Sequence, residues 1–171
     1  RRQRQMCIRD SGYIGIKINS LTDKVLINKL IEASQAGVYI DMVVRGICCL
    51  RAGVPDETEN IHIISIVGRY LEHSRIYIFG QGERARYYIG SADWMTRSTL
   101  RRVEIAAPVT APALKARLQH IFDTMLADNC NARVQQPDGS YVRRMPGADA
   151  VDCQAQFYEE AYQANVHSSL K

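Results

Sequence analysis

Residues 68–104 read GRYLEHSRIYIFGQGERARYYIGSADWMTRSTLRRVE, and three pieces of this stretch carry its chemistry: His73-Ser-Arg75, Gly90-Ser-Ala-Asp93 and Arg101-Arg102-Val-Glu104. If His73-Ser-Arg75 opens a strand, the period of two sends His73 and Arg75 to the same face, where both meet one ligand. Gly80-Gln-Gly82 then turns the chain, and Arg86-Tyr-Tyr-Ile89 returns as the hairpin partner. That return delivers Gly90-Ser91 beside His73, with the Ser91 N–H and hydroxyl closing the far side. An imidazole attacks phosphorus or protonates a leaving oxygen while guanidinium groups neutralise the oxygens on which charge develops, so this grouping points to phosphate chemistry. A histidine two residues from an arginine is by itself an ordinary surface pair. The Gly-Ser step and the second pair of arginines at this spacing turn the reading toward a phosphate site.

Upstream, Ile14-Gly-Ile-Lys-Ile18 alternates apolar and other residues and predicts a strand. Ser20 with Asp23 three positions later has the form of a capping box, and Val25, Leu26, Ile27, Leu30 and Ile31 give a helical stripe that stops at Gly37. Val38–Val44 is the next strand. Strand, capped helix and strand of these lengths form a right-handed parallel βαβ unit, which places Arg45-Gly46 at the carboxyl end of a central strand. Ligands of open α/β sheets bind at that edge, so topology alone makes Arg45 a candidate, with Gly46 letting a phosphate oxygen approach the backbone.

Ile61–Val67 reads as a buried strand in which His62 is structural or partly exposed. Val103–Ala107 is expected as the last strand of the sheet, ended by Pro108. Residues 112–128 form an amphipathic helix with Leu114, Leu118, Ile121, Phe122, Met125 and Leu126 on one side and His120 on its surface. Residues 132–144 form a small hairpin about a Pro-Asp-Gly turn, and residues 151–164 a terminal helix packing Val151, Ala155, Tyr158 and Tyr162. The fold class is therefore α/β, a mixed sheet flanked by helices.

The 171 residues suffice for one domain with a buried core, and 46% hydrophobic with 23% charged residues is the balance of a globular chain. Net charge is +4, but its placement says more. Nine arginines (45, 51, 69, 75, 84, 86, 97, 101 and 102) lie in the candidate segment and lysine is absent from it. Guanidinium forks match phosphate oxygens bidentately, so the composition favours a polyanionic partner. The five cysteines are odd in number and form no CxxC pair; Cys48-Cys49 reads as two small buried residues, and a reducing cytoplasm fits. No run approaches the roughly 18 apolar residues of a membrane span.

At these residues the sequence resembles the phospholipase D superfamily, whose half-site runs HxK, an acidic residue, GSxN and a downstream Glu. Here Arg75 stands for the Lys, Gly80 occupies the acidic position and Asp93 stands for the Asn. VGRYLEHSRIYIFG, YIGSADWMTR and VVRGICCLR are similar to the C-terminal part of bacterial polyphosphate kinase, from about Gly15 to about Tyr162. The resemblance implies a single phospholipase D-like half-domain over residues 14–165, with residues 1–13 a linker or non-native segment and 166–171 a tail. It implies an enzyme that reversibly transfers the ATP γ-phosphate to inorganic polyphosphate through a phosphohistidine carried by a domain this chain lacks. His73 matches the family's second essential histidine, Arg45 the arginine of the VRG motif, and Arg102 a further basic position; Arg75 and Ser91 complete the phosphate-binding set. ATP and ADP, polyphosphate, Mg²⁺ held by residues outside this chain, the missing domains and a homo-oligomeric assembly are the implied partners, with nucleic acid not among them. The implied location is the cytoplasm, at or away from the membrane surface. A phospholipase D-type phosphodiesterase and a non-catalytic phosphate-binding module are the rival readings.

Overall fold

The computed structural model describes residues 12–169, so nearly all of the amino-terminal segment set apart above, including Cys7, lies outside the described residues. The strands are β1 (Tyr13–Ile18), β2 (Tyr39–Val44), β3 (Ile61–Ile66), β4 (Ile76–Phe79), β5 (Arg86–Gly90), β6 (Ala106–Val109), β7 (Ala132–Gln135) and β8 (Tyr141–Arg143). The helices are α1 (Lys24–Gln35), α2 (Thr96–Arg101), α3 (Pro112–Ala127) and α4 (Cys153–Ser169), with a short 3₁₀ turn at Gly82–Arg84. All strands join one eight-stranded sheet in the order β6-β5-β4-β1-β2-β3-β7-β8. Its centre, β1, β2 and β3, is parallel, and each wing is antiparallel.

Both faces of the central strands are covered, which is why they read as near-continuous apolar runs. On one face Ile16, Ile18, Ile40, Met42 and Val44 pack with Leu30, Ile27 and Ile31 of α1. On the other, Val43, Ile64, Ile66, Ile76 and Ile78 meet Phe122 and Met125 of α3 and Cys153 of α4. The mixed α/β sheet flanked by helices is thus the observed architecture. The parallel β1-α1-β2 unit is present as expected, and β1 adjoins β4 antiparallel, with Lys17 opposite Ile76. The amino end of β4 therefore lies at the same sheet edge as the carboxyl ends of β1 and β2.

Several local expectations give way. Asp23, not Ser20, caps α1, its carboxylate accepting the N–H groups of Val25 and Leu26. Ser20 is held instead by Trp94, whose N–H donates to the Ser20 carbonyl at 3.1 Å. The strand expected over Val103–Ala107 starts at Ala106 and includes Pro108. The sheet order puts β6 at an edge, where a missing N–H is tolerated. Helix α2 precedes it, unforeseen because only six residues form it and they carry no apolar period. Nor is β6 the last strand, since the β7–β8 hairpin joins the other edge through β3. Helix α4 extends through Ser169 with Tyr158 and Tyr162 exposed, while Cys153, Gln154 and Phe157 make its inward contacts. Cys48 is half-buried and Cys49 exposed, not a buried pair.

Candidate functional site

Three residues of the opening stretch, His73, Arg75 and Asp93, meet at the carboxyl edge of β1 and β2, His73 and Arg75 in the connector that precedes β4. His73 and Arg75 do not belong to a strand, because β4 begins at Ile76. They come together through their side chains. Arg75 Nη1 lies 3.1 Å from His73 Nδ1 and Nη2 lies 3.3 Å from Nε2, while Nη1 also donates to the His73 carbonyl at 3.0 Å. A guanidinium only donates and a neutral imidazole has one bare nitrogen, so one ring contact at a time is a hydrogen bond.

Arg75 is itself fixed by Asp93 of the Gly-Ser-Ala-Asp motif. Its Nη2 donates to Asp93 Oδ2 at 2.9 Å and its Nε to Oδ1 at 3.3 Å, a bidentate pair with side chains only 11% and 14% exposed. Asp93 also accepts the backbone N–H groups of Asn19 at 2.8 Å and Ser20 at 3.4 Å, tying the motif to the end of β1. Burial pulls the Asp93 carboxyl upward, but Arg75 and the Asn19 N–H outweigh it, leaving the group below its ordinary range. Arg75 is thus spent on orienting His73, which leaves it little donor capacity for the phosphate contact expected of it.

Arg45 follows β2, half-buried, and its Nε donates to Asn19 Oδ1 at 3.2 Å. Asn19 is buried, and its Nδ2 has no hydrogen-bond partner, so a donor is left unspent at the foot of Arg45. The polar groups of Ser91 are taken up by partners other than His73. Its hydroxyl bonds to Glu104 and accepts the Ile105 N–H at 3.0 Å, and its own N–H donates to the Ile105 carbonyl. Arg102 stands exposed at the end of α2. Gly90 is required by packing: a Cβ there would lie 2.8 Å from the Tyr77 ring, whose hydroxyl donates to the Ala92 carbonyl at 2.7 Å.

Beside His73 opens a cavity of about 770 Å³ between the β4–β5 hairpin and helices α3 and α4. Glu72, His73 and Arg75 stand at its polar side, Ile89, Leu118 and Phe157 at its apolar side, and His120 meets Glu160 across it at 2.9 Å. Neither Arg45 nor Arg102 lines it. Among the described residues no group of three or more His, Cys, Asp or Glu side chains could hold a metal ion. The acids nearest His73 are already bonded, Asp93 to Arg75 and Glu72 to Gln154. These residues therefore do not fit Mg²⁺, and no step below runs through a metal.

Sequence reasoning passed over three residues that build the site: Lys17, Asn19 and Gln154. Lys17 is 1% exposed, yet its Nζ donates to the carbonyls of Glu72 at 3.2 Å and Ser74 at 3.0 Å, one on each side of His73. Burial pushes its ammonium down to about 8, against the raising effect of Glu72 and with that of Arg45 and Arg75. The available signal was a lysine between Ile16 and Ile18 in a strand buried on both faces.

Taken together, the edge defines an α/β domain whose exposed imidazole and neighbouring guanidinium groups suit an anion that must be held and protonated. A family model described as polyphosphate kinase C-terminal domain 2 matches residues 2–156, and the chain belongs to that family. That match takes in all but the first residue of the segment set apart as linker or non-native. Polyphosphate kinase of Bacillus anthracis is 51% identical over 154 residues, 90% of this chain and 22% of that protein. The Synechocystis polyphosphate kinase is 55% identical over 138 residues, 81% of this chain and 19% of that protein. The chain thus spans about a fifth of the length of the relatives it matches. The crystal structure of polyphosphate kinase from Porphyromonas gingivalis superposes with a TM-score of 0.86 at 36% identity, over 95% of this chain and 26% of that one. NucT from Helicobacter pylori shares the fold alone, at a TM-score of 0.52 and 12% identity over 73% of this chain.

Proposed function

We propose that this chain is a catalytic part of a polyphosphate kinase, one that takes part in reversible transfer of the ATP γ-phosphate to inorganic polyphosphate. The observation that supports it is the exposed imidazole of His73, aligned on Arg75 and anchored through Arg75 to Asp93, at the mouth of a ligand-sized cavity. In this reading His73 holds a phosphate oxygen and moves a proton to or from it, and Arg45 spreads the charge that builds up on the transferred group. Arg75 orients the imidazole, Ser91 fixes the loop to Glu104, and Arg102 meets arriving polyanion from its exposed position. The phosphohistidine forms on another domain, as the family resemblance implies, so His73 is not the phosphorylated residue. Mg²⁺, where used, is held by residues outside this chain. A homo-oligomer working on ATP in the cytoplasm belongs to the same reading; among the described residues no helix is long and apolar enough to cross a membrane.

The test is a filter assay of labelled polyphosphate formed from ATP by the full-length protein, with His73→Ala and His73→Gln alongside. Both variants should lose on the order of 10²–10⁴-fold in turnover, since an amide cannot deliver a proton. Acid-labile phosphate mapped to His73 overturns the assigned role, and normal turnover by His73→Ala overturns the site.

A further inference from the structure

We propose that Lys17 is a positioning residue for His73, an internal cation that sets the imidazole by gripping the main chain on either side of it. The inference rests on the reading of His73 given above.

The connector that carries His73 has no regular structure, so strand ladders do not fix its carbonyls. Side chains do so instead. Lys17 takes the carbonyls of Glu72 and Ser74, Arg75 takes that of His73, and Gln154 takes that of Tyr70. Three consecutive carbonyls, 72 to 74, are thus captured by two cations, with the imidazole standing on the middle residue. Lys17 lies opposite Ile76, the first residue of β4, so its stem runs under the point where the connector enters the sheet.

The fold itself gains little from a lysine there. Val43, Ile66, Met125 and Cys153 surround it with Arg45 and Glu72, and an apolar side chain of similar length would fill the same space without removing a charge from water. What an apolar replacement cannot do is bond two carbonyls two residues apart, the contact that fixes where His73 stands. Reacting groups misplaced by about 1 Å lose on the order of 10²-fold in rate. Arg45, which contacts phosphate in the reading above, hangs on Asn19 and not on Lys17, so ground-state binding and imidazole placement are separable.

The experiment is steady-state kinetics of the full-length protein with Lys17→Met, with His73→Ala as the reference. Lys17→Met should lower kcat about 10- to 100-fold while KM for ATP stays within about threefold, in a protein that still melts cooperatively. A role confined to stability would lower the melting temperature and leave kcat of the folded enzyme unchanged. If Lys17→Met does not accumulate as folded protein, Lys17→Gln carries the same readout, because its shorter amide reaches one carbonyl at most; its kcat should fall at least fivefold. A kcat within twofold of wild type in the folded variant, with His73→Ala inactive, overturns the positioning role and leaves the site standing. Normal turnover by His73→Ala overturns the reading of His73 and the role of Lys17 with it.

Discussion

The side-chain amide of Gln154 pairs with the backbone of Tyr70 in both directions: Oε1 accepts the Tyr70 N–H at 2.8 Å and Nε2 donates to the Tyr70 carbonyl at 2.8 Å. One residue of α4 thus acts as a strand partner for a segment that has none. Gln154 is buried, and a Cβ at Gly68 would come within 2.5 Å of its amide oxygen, so a larger residue there would push the amide off Tyr70. Replacing Gln154 by Ala removes both of these part-buried hydrogen bonds, each worth about 0.5–1.5 kcal/mol net, and should cost about 1–3 kcal/mol. Urea unfolding measures the loss. Hydrogen exchange should show faster exchange at Tyr70 while the β1–β3 amides keep their protection.

Asp93→Asn should cost about 3 kcal/mol or more at neutral pH, because it strips a nearly buried guanidinium of its counter-charge. The pH dependence follows from the lowered carboxyl. A group depressed in the folded state binds fewer protons there than in the unfolded chain, so its contribution is full above the ordinary value of 3.8 and is lost as pH falls through the folded value. Thermal melts of wild type and Asp93→Asn should therefore differ most at pH 7 and converge as pH falls below 3.8. A gap independent of pH contradicts the ion pair as its source.

How far the sequence carries can be argued from these same residues. Strand β1, α1 and β2 were legible because Ile16, Ile18, Ile40 and Leu30 face apolar layers and their periods say so. His73, Arg75 and Asp93 were legible as types in a pattern, but not as a chain of contacts. Arg75 looked like a phosphate fork because sequence shows its charge and not its partner. The orientation of Ser91 was hidden for the same reason, since Glu104 lies thirteen residues on and reaches it only after α2 and the turn into β6 have formed. Lys17, Asn19 and Gln154 act across separations of 26 to 84 residues, which no local period records.

Lys17 makes a second prediction through pH. Its folded value of about 8 lies below the ordinary 10.5, so between these limits the unfolded chain binds more protons and stability rises with pH. The full rise is on the order of 3 kcal/mol. Tyr13 and Tyr77, both raised by burial, work the opposite way as pH approaches 10, so the comparison belongs between pH 8 and 9.5. Chemical denaturation over that range should show wild type gaining stability relative to Lys17→Met. A constant difference contradicts the depressed ammonium.

Gly90→Ala should be destabilising by about 1–3 kcal/mol, the usual cost of overpacking. The new methyl would press on the Tyr77 ring at 2.8 Å and the Ile105 carbonyl at 3.3 Å. Tyr77 is stacked on Trp94 at 5.8 Å and cannot turn aside without breaking its bond to Ala92. Against a Tyr77→Leu background, which lacks the ring that the methyl strikes, the same Gly90→Ala substitution should cost less. Unchanged melting of Gly90→Ala would show that the hairpin yields more readily than its packing suggests.

Arg45 divides its guanidinium between protein and solvent. Its Nε is held by Asn19, which Asp93 holds in turn, and among the described residues its Nη groups have no hydrogen-bond partner. Two N–H-bearing nitrogens remain on a fork whose direction is already set, so an anion meets them without ordering the side chain afresh. Loss of a charge-assisted phosphate bond costs about 1.5–3 kcal/mol, so Arg45→Ala should bind tripolyphosphate roughly 10- to 150-fold more weakly. Arg45→Lys should not restore binding, because a single ammonium cannot bond Asn19 and an anion together with the geometry of the fork. Calorimetric titration at fixed ionic strength reads both variants, and repeating it at higher salt separates the directed bond from general attraction to a basic surface. If Lys at position 45 binds as tightly as Arg, only the charge matters there and the anchoring by Asn19 has no part in recognition.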